Sequence, residues 1–238
     1  MDLPTQPPPD TPAPPPGPEA IRSRRIMNWI IVAGVLSIAG LLLLGIASRF
    51  LFKGHPHPPQ IEATSNARSL HLALLDFDSD YGSFPDATTI ADVKTTTSTT
   101  LPLGTTSSNE IFRQLIATTC QSESLFWART AITPRKPDNN ISGGHALEKG
   151  ECAFAYIAGL SASDDPTTPI LMAPVDPSSR CFERRKDYGE KAVVLFVDGR
   201  AKGFPIDKHG KVQLNGMDIF DPRQPFWKGK APDIKWPD

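Results

Sequence analysis

The sequence lacks an excess of charge of either sign. Its 238 residues hold 25 Lys plus Arg against 26 Asp plus Glu, a formal net charge of -1. Attraction to a phosphate backbone needs a basic surplus, so the composition gives no case for a nucleic-acid partner. Cysteine is scarce: Cys120, Cys152 and Cys181 are the only three, and no C-x-x-C or C-x-x-x-x-C pair occurs. That spacing excludes a zinc knuckle. No nucleophile elbow, phosphate loop, H-E-x-x-H or Rossmann fingerprint is present, so no catalytic, cofactor-binding or metal-ligating residue is assigned and no small-molecule substrate is identified.

What is abundant is proline, 25 residues against 17 glycines, with nine of the prolines in the first 18 positions. Proline removes backbone donors and fixes φ, so residues 1–25 read as a disordered, partly polyproline II tail. Its PxxP spacing, as at Pro4 to Pro7, suits either a spacer or a ligand for a proline-binding groove. From Ile26 to Ser48 there are 23 consecutive uncharged residues. At helical rise that is about 35 Å, enough for a hydrocarbon core of about 30 Å. A transmembrane helix is therefore expected over 26–52. The run is longer than the apolar region of a signal peptide and Arg49 and Lys53 follow it, so the anchor is expected to stay uncleaved. Arg22, Arg24 and Arg25 before the span favour a cytoplasmic N-terminus and an exported C-terminal domain.

A Pro-rich linker at 53–60 should separate the span from a domain at 61–238. Over residues 54–238 there are 20 basic and 23 acidic residues, which argues against anionic lipid or nucleic acid as a partner. All three cysteines fall in this part. In an oxidising compartment two could pair and leave one free, or all three could be buried thiols.

Ala63, Ala67, Leu70, Leu74, Phe77 and Tyr81 recur at spacings of 3 and 4, which predicts an amphipathic helix over about Gln60 to Asp80, widened by Leu72, Ala73 and Leu75. Gly82 should end it. The threonine-rich residues 86–106 read as a loop. Ser107-x-x-Glu110 resembles a capping box and opens a second helix over about Ser108 to Thr119, with a shorter helical piece around Glu123 to Arg129. Strands are expected at Glu151–Ile157, half-buried by its alternation, at Pro169–Ala173, and at Lys191–Val197 and Arg200–Pro205, the last two joined through Asp198-Gly199 by a two-residue primed turn. Lys211–Leu214 could pair beyond that hairpin, and the Pro- and Trp-rich end reads as an irregular tail packed on the domain.

This order of elements, and the segment Asn66 to Pro85 with its Tyr81-Gly82-Ser83-Phe84-Pro85 ending, resembles type II secretion pseudopilins and related type IV pilin-like proteins. Val194-Leu195-Phe196-Val197-Asp198-Gly199 is similar to a hairpin of pilin-like proteins. The resemblance covers about residues 61–215. It implies an α+β fold: an N-terminal transmembrane helix, then a pseudopilin-like domain in which an amphipathic helix packs on an antiparallel sheet. It further implies a non-catalytic envelope protein of the bacterial inner membrane, single-pass, with a periplasmic domain that assembles with protein partners in a secretion or pilin-like system. Arg25-Ile26-Met27-Asn28-Trp29 stands where the family has its cleavage signature, and no acidic residue lies in the span, which agrees with a permanent anchor. Major pseudopilins bind calcium near the C-terminus; Asp218, Asp221 and Asp233 lie in a comparable region. The alternative is a membrane-anchored extracytoplasmic enzyme or ligand-binding domain.

The other polar constellations have plain readings beside their chemical ones. His55 and His57 suit a linker as well as a metal. Asp76, Asp78 and Asp80 point apart on a helix. Cys120 or Cys152 with His145 could form a nucleophile and base, but unrelated placement is expected. Asp164, Asp165 and Asp176 stand beside prolines and suit turns. Asn140-Ile141-Ser142 matches a glycosylation sequon, read as chance in a bacterial protein. His71 and His209 are scattered.

Overall fold

The computed structural model describes residues 58–238 and Gly34. The expected tail, the rest of the expected span, and the linker residues 53–57 with His55 and His57 lie outside the described residues. Among the described residues no helix is long and apolar enough to cross a membrane.

Helix α1 runs Pro59–Tyr81, with Pro58 as its N-cap. Proline at the first helical position costs no intrahelical hydrogen bond and arrives with helical φ. Part of the proline-rich linker therefore starts the helix. The expected stripe is buried, Tyr81 only partly, and His71 joins it. The Phe77 and Tyr81 rings stack at 4.4 Å. Leu72 does not widen the stripe: its side chain is 68% exposed. At about 100° per residue it points about 180° from the stripe's centre, with Ile61 about 20° away from it. Gly82 takes φ 79° and donates its N–H to the Asp78 carbonyl at 2.7 Å, ending the helix as expected.

The threonine-rich stretch is not wholly a loop. Ile90–Thr97 forms a short helix, α2. Local propensity opposes this, since β-branched residues lose side-chain freedom in a helix. The burial of Val93 prevails, and the hydroxyls of Thr95, Thr96 and Thr97 find partners inside the helix by donating to the carbonyls of Ala91, Asp92 and Val93. Helix α3, Ser108–Thr118, starts where the capping motif placed it: the Ser107 hydroxyl accepts from the Glu110 N–H, and the Glu110 carboxylate accepts from Thr106 N–H at 2.8 Å. The following helical piece is a single 3-10 turn at Glu123–Leu125.

The main sheet is antiparallel and five-stranded. Its strands are β1 (Ala155–Ala158), β2 (Pro169–Ala173), β5 (Lys191–Phe196), β6 (Ala201–Pro205) and β9 (Asp233–Lys235), in spatial order β6-β5-β2-β1-β9. Two small hairpins stand apart: β3 (Val175–Asp176) with β4 (Cys181–Phe182), and β7 (Gln213–Leu214) with β8 (Met217–Asp218). Thus 211–214 joins the end of the main hairpin through the Ile206 to Val212 bridge and a bond from Asp207 N–H to the Lys211 carbonyl at 2.9 Å, while Gln213 and Leu214 pair with β8. The C-terminal end is not wholly irregular, because β9 adds a strand to the β1 edge.

The sheet is covered on both faces, so β1 is fully buried and not half-buried. Tyr156, Leu171, Val193 and Leu195 share one core with the stripe of α1 and with Ile111, Phe112 and Leu115 of α3. Ala155, Ile157, Met172, Val194 and Phe196 share a second core with Val212, Ile219, Phe226 and Trp227. Alternation along a strand separates two faces but says nothing about whether the second face meets water or another layer. The described residues thus form an α+β domain of three helices and an antiparallel sheet, with α1 laid across the β5-β6 side.

Candidate functional site

Three places concentrate polar chemistry or exposed apolar surface. The first is where α1 meets the β5-β6 hairpin. Gly199 N–H donates to Phe196 carbonyl at 2.9 Å and Phe196 N–H to Arg200 carbonyl at 3.1 Å. Gly199 has φ 79°, and Asp198 is not among the residues of positive φ. The loop is therefore three residues long with one left-handed position, and not the expected two-residue primed turn, which needs positive φ at its first central residue, here Asp198. The hairpin itself stands. The difference comes from outside it: Val197 N–H donates to the Thr168 carbonyl and Asp198 N–H to that of Pro166, while His71 donates its Nε2 proton to the Val197 carbonyl at 2.9 Å. His71 is thus a buried clasp between helix and hairpin tip, a role its isolated position in the sequence did not signal.

The second place is the irregular connection between α3 and β1. Glu123, Asp138 and Glu151 each bring a carboxylate oxygen within 4.8 Å of the others. Glu123 is fully buried. Its Oε1 accepts from Leu147 N–H at 2.7 Å, and its own N–H donates to Asn139 Oδ1 at 2.9 Å. Its Oε2 is buried with no hydrogen-bond partner among the described residues. Burial, and after it the charges of Glu151 and Asp138, push the Glu123 carboxyl up. Glu151 accepts from Glu148 N–H at 2.7 Å, and Asp138 Oδ1 from Asn140 N–H at 2.8 Å. Sequence reasoning missed this group, because its members are dispersed over 29 positions with no recurring spacing.

The third place is the outward face of α1. Ile61 and Leu72 are exposed there, 55% and 68%, and a shallow groove of about 600 Å³ runs along Gln60, Thr64, Ser65, Arg68 and Ser69 between them.

The constellations weighed from sequence are not brought together. His145 is exposed and pairs through Nδ1 with Glu148 at 2.8 Å. Cys152 is fully buried, next to the Ser108 hydroxyl at 3.6 Å, and burial pushes its thiol up to about 12. Burial also raises the Cys120 thiol. A nucleophile must be a thiolate, so neither thiol is primed. All three cysteines are free, with Cys120 and Cys152 buried and Cys181 half-buried. We expect native protein to react with a maleimide at Cys181 alone and unfolded protein at all three, counted by mass; rapid native labelling of Cys152 would contradict its burial.

Asp164 accepts from Ser161 N–H, Asp165 from Thr167 and Asp176 from Ser178 and Ser179, so these are turn caps. Asp76 and Asp80 are exposed and Asp78 accepts from Ala162 N–H. Near the C-terminus each carboxylate has its own cation: Asp218 pairs with Lys211 at 2.9 Å, Asp221 with Arg223 at 2.6 Å and Asp233 with Lys235 at 2.9 Å. Hydrogen bonds from Arg223 hold Asp221 down to about 2. Those three do not converge into a cluster among the described residues. No family model, no curated protein and no solved structure matches this chain.

Proposed function

We propose that the chain is a non-catalytic envelope protein, anchored by the apolar stretch at 26–52, whose exported domain is pseudopilin-like and assembles with other secretion-system or pilin-like components. The supporting observation is the outward face of α1. Ile61 and Leu72 lie on one face of a 23-residue helix, opposite the stripe that the sheet and α3 bury. Water-exposed leucine and isoleucine on a helix face gain about 25 cal/mol for each Å² a partner covers. Of the nucleophile and base candidates, Cys120 and Cys152 are buried thiols and His145 is paired with Glu148, which favours assembly over catalysis. An amphipathic helix ending in Tyr-Gly-Ser-Phe-Pro and laid on an antiparallel sheet is the arrangement the pseudopilin resemblance calls for.

The test is a photo-crosslinking residue at Ser65, in the groove between Ile61 and Leu72, of the full chain in its own membranes. Under this reading the chain stays in the membrane fraction after a high-salt wash, and the crosslinked species are secretion or pilin-like subunits. Leu72→Glu should shift stability by no more than about 0.5 kcal/mol, as for other surface changes, while removing those adducts. A chain released to the soluble fraction, or adducts unaffected by Leu72→Glu, would overturn the reading.

A further inference from the structure

The carboxylates of Glu123, Asp138 and Glu151 differ from an ordinary acidic patch in one respect: one of them is inside the protein. Glu123 is 0% exposed, and its Oε2 has no hydrogen-bond partner among the described residues. A carboxylate oxygen withdrawn from water without a donor is costly, and two more carboxylates nearby raise the cost. Asp138 is exposed and Glu151 partly so, and a cleft of about 400 Å³ leads past them from solvent. Arg135, Lys136 and Lys149 border the same cleft, yet no Lys or Arg among the described residues forms a salt bridge with any of the three acids. Lys136 is turned towards the Trp127 ring, 5.7 Å from its centroid.

We propose that Glu123, Asp138 and Glu151 form a calcium site, with Glu123 Oε2 as its inner ligand and solvent water completing the shell from the cleft. The donors are all oxygens, which selects a hard cation over zinc or copper. Calcium bonds oxygen at about 2.3–2.6 Å, so opposite ligands stand about 4.6–5.2 Å apart, and it accepts six to eight ligands in loose geometry. Three carboxylate oxygens within 4.8 Å of one another fit inside that sphere. Magnesium needs near-ideal octahedral placement at about 2.0–2.1 Å and prefers to keep its water, which irregular loops serve less well. The hydrogen bonds already made to Glu123 Oε1, Asp138 Oδ1 and Glu151 leave lone pairs for a metal and hold each carboxylate in place.

The location gives the ion a role. Its ligands come from three separate points of the connection between α3 and β1, which holds only single 3-10 turns as regular structure. That connection also touches the chain's last residue, since Gly150 N–H donates to the Asp238 carbonyl at 3.2 Å. One cation would tie the three points together where backbone ladders do not. The site is separate from Asp218, Asp221 and Asp233, which are each neutralised by a neighbouring cation.

The test uses the full chain in non-ionic detergent, stripped with EDTA and titrated with calcium chloride or magnesium chloride. Bound calcium is read by calorimetry and domain unfolding by the near-ultraviolet circular dichroism midpoint. With a dissociation constant of about 0.1 mM, typical of extracellular sites, 10 mM calcium should raise the midpoint by about 5–10 °C. Magnesium at the same concentration should raise it less. Asp138→Asn, an exposed change, should weaken calcium binding at least about tenfold. Glu123→Gln, which keeps an oxygen for the Leu147 N–H, should abolish the calcium-dependent rise. Absence of calcium heat and of any midpoint shift in the parent protein would overturn the proposal and leave the acids sharing a proton. An undiminished shift in both variants would also overturn it, by placing the calcium elsewhere.

Discussion

Phe84→Ala should destabilise the domain by about 3–5 kcal/mol, the range for deleting a buried phenyl ring where surroundings relax only partly. Phe84 follows the end of α1 and is fully buried in the helix-side core. Its backbone is held as well: Phe84 N–H donates to the Leu160 carbonyl at 2.9 Å, and the next carbonyl, of Pro85, accepts from the Tyr156 hydroxyl at 2.8 Å. The ring therefore cannot swing away to let the space close. The turn after α1 is pinned to β1 and to the loop beyond it, and the alanine variant leaves a cavity between helix and sheet. For a domain of this size the thermal midpoint should fall by roughly 2–4 °C per kcal/mol, read by near-ultraviolet circular dichroism of the full chain. Tyr156→Phe should cost less, about 1–3 kcal/mol, by leaving the Pro85 carbonyl buried without a donor. A Phe84→Ala loss below that of Tyr156→Phe would show that the ring is not part of the core.

Gly199→Ala should cost about 2–5 kcal/mol through two separate effects. A non-glycine residue at φ 79° is strained by about 1–2 kcal/mol. A Cβ there would also lie 2.8 Å from Cε1 and 2.9 Å from Nδ1 of His71, and crowding of that kind in a packed interior costs about 1–3 kcal/mol. His71 cannot retreat without giving up its hydrogen bond to the Val197 carbonyl. The two effects separate in a double-mutant cycle. His71→Ala removes the ring and the clasp and is destabilising alone, but it relieves the crowding. The combination with Gly199→Ala should then cost at least about 0.5 kcal/mol less than the sum of the two single changes. Additive costs would mean that ring and hairpin tip do not touch.

The parts of this fold that were legible are those whose signal is local. The stripe of α1 repeats over six positions, and Gly82 ends it because only a residue without Cβ takes that φ freely. Ser107 with Glu110 announces α3 because both partners of the cap lie within one turn. The β5-β6 hairpin was legible as a hairpin, but its turn was not: Asp-Gly serves more than one loop, and the choice follows from carbonyls of Thr168, Pro166 and Val197 that belong to contacts with other segments. Helix α2 was hidden for the opposite reason, since its threonines argue locally against a helix and only the burial of Val93 overrides them. Leu72 was placed with the stripe by hydrophobicity, while its helical angle puts it on the other side.

The sequence by itself determined the α+β class, the long first helix, the positions of the hairpin strands and the absence of any linear catalytic signature, because each depends on neighbours within a few residues of one another. Only the tertiary structure decided that both faces of the sheet are covered, that His71 closes onto the hairpin tip, and that Glu123, Asp138 and Glu151 meet. Those contacts join residues tens of positions apart, and a chain's periodicity carries no information about which distant surfaces exclude water from one another.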